Sequence, residues 1–247
     1  MSVPFVGTSG GSFDARDAVG RGAVRADRGG RRRAGAEGRC PPPVTEKHLK
    51  ASQQNLKQLG LAFHSHHDAT NFFPTDILDK TGKPLLSWRV AILPYLEEEV
   101  LYRQFKLNEP WDSEHNKKLI EKMPKAYAPI RVRGKLGETF YQTFTGTDAV
   151  FGGKMKRPTI LAITDGTSNT AMVVEAGTSV VWTKPADIPF DAKKAVPKLG
   201  GMFDGECHVL RCDGSVFLMK KNPDEDELKK LVMPNDGLLF DPAKLEK

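Results

Sequence analysis

The hydrophobic period of this 247-residue chain changes once, near Ala126, and that change limits the fold more than any other feature. Upstream of it, apolar residues recur at helical spacing. Leu49, Leu56, Leu59 and Phe63 put one apolar stripe along a helix from about Glu46 to about Asp68, with Thr45 as its N-cap. Lys47, Lys50, Gln54 and Lys57 take the opposite face, and Asn71-Phe72-Phe73-Pro74 ends the helix. A loop at 75–84 follows, with the turn Thr81-Gly82-Lys83-Pro84. A second helix opens at Leu86, is kinked or restarted by Pro94, and carries its period on through Tyr95, Leu96, Val100, Leu101 and Phe105. A short third helix is predicted at 113–122, capped by Ser113 and stopped before Pro124. Downstream, strand formers take over. Residues 139–144, 159–163, 171–175 and 179–182 read as short strands. Residues 207–212 and 215–220 flank Asp213-Gly214, the strongest hairpin signal in the chain. A closing helix is predicted at 223–232. Helices first and strands after predict an α+β fold: an N-terminal amphipathic helix packed on an antiparallel sheet, with additional short helices.

Composition narrows the function classes. The net charge is +6, but residues 1–43 hold eight arginines against four acids, and the remaining residues are almost neutral. That first segment has nine glycines, hardly any aliphatic side chains and no hydrophobic period, so it cannot offset its ordering entropy by burial and reads as disordered. An Arg/Gly arm for phosphates, a targeting peptide and a non-native stretch translated from a wrong start compete for it. The last is preferred, because the arm lacks interleaved aromatics and no apolar h-region is present. No specific nucleic-acid partner is therefore expected. Residues 44–247 read as one globular domain. No apolar run approaches the roughly 18–20 residues that span a bilayer, and three cysteines exclude a disulfide-dense scaffold.

Candidate chemistry is sparse. His64 and Asp68 share a helix face, yet no third metal ligand is identifiable, so no metal and no cofactor are expected. Cys207 and Cys212 lie in one strand at odd separation and point to opposite faces. Asp165, Glu175 and Asp213 could meet as a carboxylate group for acid/base work, although turn chemistry alone explains Asp165 and Asp213. Trp88, Trp111 and Trp182, with Asp165 and Asn169 of the turn at 164–169, are the candidate binding residues for a glycan or small solute.

Six segments in order carry a family resemblance. They are Asn55-Leu56-Lys57-Gln58-Leu59-Gly60 running to Asp68 with Phe73-Pro74, Leu86-Ser87-Trp88-Arg89 running to Glu97, and Lys106 to Ser113. Ile163-Thr164-Asp165-Gly166-Thr167-Ser168-Asn169-Thr170, Val173-Val174-Glu175-Ala176 and Asp213-Gly214-Ser215-Val216 complete the set. Together they resemble planctomycete prepilin-like proteins catalogued as domain of unknown function 1559. The resemblance implies a pilin-like domain, with the C-terminal half of a long helix laid on a sheet. It also implies a place in the cell envelope or outside the cell. Residues 1–43 stand where the family carries its prepilin signal and apolar helix. Phe203 stands where many members carry the histidine of a His-x9-Asp-Gly motif, so that histidine's role does not transfer. The expectation is a non-enzymatic, pseudopilin-like domain whose partners are envelope or pseudopilus proteins. The alternatives are an extracellular solute- or glycan-binding module, and a hydrolase using Asp165, Glu175 and Asp213.

Overall fold

The computed structural model describes residues 41–132, 135–152 and 157–247; the Arg/Gly-rich stretch read as disordered lies, up to residue 40, outside the described residues. Pro41, Pro42 and Pro43 have no N–H and hold the chain extended, so a helix can begin only after them. It begins at once. α1 spans Glu46–Thr70, and the Thr45 hydroxyl accepts the His48 amide while His48 Nδ1 accepts the Thr45 amide. Asn71, at φ 63°, closes the far end by donating its N–H to the His67 carbonyl. The buried stripe of α1 includes Leu56, Leu59 and Phe63, as predicted, and also Ser52, Gly60 and His66.

β1 (Ile77–Leu78) and β2 (Pro84–Leu86) form a small antiparallel hairpin. Pro94 restarts the helical path that follows: α2 (Trp88–Ala91), a 3-10 turn at Leu93–Leu96 and α3 (Glu99–Tyr102) replace one continuous helix. The predicted third helix is a 3-10 stretch at Asn116–Lys122. Its N-cap position is His115, without a side-chain cap, rather than Ser113, whose hydroxyl accepts the Asn116 amide from just upstream; the buried Asn116 side-chain amide donates to the carbonyls of Lys106, Glu109 and Pro110, which tightens the segment against its neighbours.

The main sheet has the order β3–β5–β7–β8, antiparallel throughout. Its strands are β3 (Glu138–Gln142), β5 (Ala171–Val181), β7 (Cys207–Arg211) and β8 (Val216–Met219), while β4 (Phe144–Thr145) and β6 (Ile188–Pro189) pair in parallel beside it. Two expected strands are in fact one. β5 runs through Gly177, whose amide donates to the Lys198 carbonyl at a closeness that a Cβ would forbid. There the strand bulges: Thr139 faces Val180 but Tyr141 already faces Glu175. The expected strand at 159–163 is instead a 3-10 turn at Ile160–Ala162, where Ala162 and Ile163 donate to carbonyls three residues back. The Asp213-Gly214 hairpin forms between β7 and β8 as predicted.

Both faces of the sheet are covered. Val173, Leu210 and Cys212 join α1, Trp88 and Tyr127 in one core; Val174, Val209 and Cys207 join α4 (Glu225–Val232), Phe240 and α5 (Pro242–Leu245) in a second. The odd spacing of the two cysteines thus places them on opposite faces, and both are free thiols. Gly60 lets α1 lie close on the hairpin, since a Cβ there would meet Leu210 at 3.0 Å. Among the described residues, no helix is long and apolar enough to cross a membrane.

Candidate functional site

Polar side chains interrupt the interface between α1 and the sheet at one place. Ser52 of α1, Tyr141 of β3, Glu175 of β5 and His208 of β7 meet there, none more than 3% exposed. The direction of the hydrogen bonds follows from Asn55, whose Nδ2 can only donate; it donates to the Tyr141 hydroxyl at 3.3 Å. Tyr141 then donates to Ser52 Oγ at 2.6 Å, and Ser52 donates to Glu175 Oε1. From the other side, the His208 amide donates to Glu175 Oε2 at 2.7 Å, and His208 Nδ1–H lies 3.2 and 3.3 Å from the two carboxylate oxygens. Burial, and then the Glu175 carboxylate, push the Tyr141 phenol far above its ordinary range, so it stays a donor.

These are the residue types of a nucleophile–base–acid relay, but their order differs. In such a relay the serine is bonded to the imidazole that deprotonates it. Here Ser52 is bonded to the carboxylate. In this arrangement one carboxylate fastens α1, β5 and β7, and Tyr141 adds β3. Removing any member leaves a buried polar group without its partner, at about 1–3 kcal/mol each.

Tyr141 also joins a second polar centre through its backbone. Its carbonyl accepts Arg89 Nε at 2.9 Å and Nη2 at 2.8 Å, so a fully buried guanidinium seals the outer side of β3. Arg89 Nη1 donates to Ser87 Oγ at 2.7 Å and Nη2 to Asp187 Oδ1 at 2.8 Å. Asp187 also accepts the Trp88 indole at 3.2 Å and the Thr143 amide at 2.8 Å, and Asp76 accepts the Trp88 amide at 2.9 Å. One guanidinium thus faces two carboxylates. Burial, followed by the charge of Asp187, raises the Asp76 carboxyl from 3.8 to about 6.

The candidate binding residues do not gather into one cleft. Trp88 and Trp182 are brought together, but inside the core, on either side of Tyr127 at 6.4 and 5.8 Å between ring centroids. Trp182 donates its indole N–H to the Ile120 carbonyl. Trp111 is half-buried, with the Lys184 ammonium 5.5 Å from its ring centroid. Asp165 accepts the amides of Asp236 and Gly237 at 2.8 and 3.0 Å, and Asn169 donates to the Asp165 carbonyl. Those two residues pin a turn. Asp213 accepts the Ser215 amide and hydroxyl, so Asp165, Glu175 and Asp213 share no partner. His64 packs against Phe73 and approaches Gly214, and the described residues contain no group of three His, Cys, Asp or Glu side chains that could hold a metal.

Ser52, Tyr141, His208, Arg89 and Asp187 are not among the candidate residues the sequence offers, although two signals were there. Ser52 lies on the apolar stripe of α1 between Leu49 and Leu56, and Arg89 sits inside an apolar run. A polar side chain at a core position requires a buried partner.

Fold and polar centre together define an α+β domain in which a long helix is fastened to an antiparallel sheet by an internal hydrogen-bond network. Residues 50–133, about a third of the chain, match a family described as protein of unknown function, DUF1559. The match covers most of α1 and the helical turns after it. No curated protein and no solved structure matches the chain.

Proposed function

We propose that this is a non-enzymatic, pseudopilin-like domain that works at the cell envelope or outside the cell, acting through its surface within an envelope or secretion assembly. The observation that carries this reading is the sealed polar centre. The residues with the greatest chemical potential, Ser52, Glu175 and His208, are consumed in holding α1 to the sheet. What α1 offers outward is a stripe of Lys47, Lys50, Gln54, Lys57 and Leu61. The match over residues 50–133 is to a family of unknown function; the pseudopilin reading draws on the resemblance to planctomycete prepilin-like proteins, which extends to the sheet motifs. The capping box at Thr45 and the prolines before it set a boundary. A helix cannot run unbroken across residues 41–45, so contacts are made by the flank of α1 rather than by a longer continuous rod.

Turnover assays test this directly. Ester, glycoside and peptide substrates should be left intact by the full chain. Hydrolysis that disappears in Glu175→Gln, with the fold retained by circular dichroism, would overturn the proposal.

A further inference from the structure

Residues 75–83 run between two firm anchors. Upstream, Phe73 is buried and its amide donates to the Pro158 carbonyl at 2.7 Å; downstream, the Ser87 amide donates to the Thr183 carbonyl at 3.0 Å. Between them the tip folds on itself. Asp79 Oδ1 accepts the Thr81 and Lys83 amides and the Thr81 hydroxyl, and the Asp79 amide donates to the Lys83 carbonyl. β1 has only two residues, its register against β2 slips between Ile77 and Leu78, and Leu78 is 53% exposed. Among the described residues, this stretch is held down by the Ile77–Leu86 pairing, by Ile77 packing on the core, and by the Trp88 amide, which donates to Asp76 Oδ1 at 2.9 Å.

Asp76 is the member of its polar centre that the buried cation leaves unsatisfied. Arg89 directs Nε and Nη2 to the Tyr141 carbonyl, Nη1 to Ser87 and Nη2 to Asp187. The charged groups that act on Asp76 are Asp187 of the segment before β6, which repels it, and Arg89 of α2, which attracts it. An ionised Asp76 is thus a charge held out of water beside a like charge, with one amide as partner. A protonated Asp76 is neutral and keeps the Trp88 bond. The ionised form is relieved by swinging into water, and the self-contained tip can follow without breaking its own bonds.

We infer that residues 75–83 form a pH-gated flap, closed on β2 while Asp76 carries its proton and opening toward neutral pH to uncover the β2 edge at Leu86 and the Trp88 amide. Burial, and then Asp187, lift the carboxyl of the closed flap from 3.8 to about 6, whereas in the open flap it meets water and returns to its ordinary value. The closed form binds the proton more tightly, so its advantage is complete below the lower value and is lost as pH rises through the upper one. From about pH 5 to about pH 8 the open population should grow about tenfold. The flap does not depend on the envelope role, so either can fail without the other.

Hydrogen exchange of the full chain at those two pH values, each corrected for the intrinsic exchange rate, tests it. The amides of residues 76–86 should lose about tenfold in protection between the two. At both they should exchange faster than those of residues 56–63 in α1, because the opening is local. Asp76→Asn should keep the flap protected at both pH values, with unchanged circular dichroism. Flap amides that exchange in step with α1, or that show one protection across the range, overturn the proposal from the wild type alone. So does a wild-type pH dependence that persists in Asp76→Asn.

Discussion

Replacing Glu175 with alanine removes the acceptor of three donors at once: the Ser52 hydroxyl, the His208 amide and the His208 ring. None of them can turn to water, so Glu175→Ala should lower the unfolding free energy by about 3 kcal/mol in urea titrations. Ser52→Ala removes one link and should cost about 1 kcal/mol, with the double variant losing less than the sum because the two share a bond. Asp76 behaves in the opposite sense. Its carboxyl binds a proton more tightly in the folded chain, at about 6, than at its ordinary 3.8. Stability is therefore greatest below the lower value and is lost as pH rises through the upper one. Asp76→Asn keeps an oxygen for the Trp88 amide and removes the charge. It should raise neutral-pH stability by about 2 kcal/mol and flatten the stability profile between those two values.

At the scale of elements, the ends of α1 and the edges of the sheet carry the argument. Thr45→Ala removes the side-chain half of the capping box and should cost about 1 kcal/mol. At the other edge, the C-terminal residues lie along β8. Lys220 donates to the Leu245 carbonyl and Lys247 to that of Leu218, while Glu227 holds the Asp241 amide and the ammonium groups of Lys230 and Lys244. The Asp241 amide first, then Lys230, hold the Glu227 carboxyl down at about 2. That fastening is complete above the ordinary carboxylate range and fails as pH falls toward the lower value. Glu227→Gln should speed amide exchange in residues 216–220 and remove its acid dependence. α1, α4 and the Asp213-Gly214 hairpin were legible in the sequence because period and turn chemistry are local, whereas the second and third helices broke into short helices and 3-10 turns. The strand through Gly177 and the turn at Ile160–Ala162 were not legible. Each is decided by a distant partner, Lys198 O against Gly177 and the Pro158 and Asp165 anchors around the turn. The site was half legible. Glu175 could be singled out as a carboxylate in an apolar strand, but its partners lie 123 and 33 residues away along the chain.

For the whole molecule, the two polar centres meet at Tyr141, whose hydroxyl belongs to one and whose carbonyl belongs to the other. The sheet is consequently closed on both sides: Arg89 caps β3, and residues 245–247 line β8. Strand addition to the main sheet is thereby opposed at the Tyr141 carbonyl and along Leu218–Lys220. Trp88 and Trp182 are buried within that closed body, which leaves Trp111 alone to serve a solute-binding role. The central claim, action through the exposed flank of α1 at the envelope, is tested most directly by placing a photoreactive residue at Gln54 of the full chain in its native cells. After irradiation the membrane and exported fractions should contain covalent adducts with envelope or secretion proteins, formed from position 54 and not from a photoreactive residue at the buried Leu56. Adducts confined to cytosolic proteins, or an adduct pattern identical at the two positions, would contradict the account.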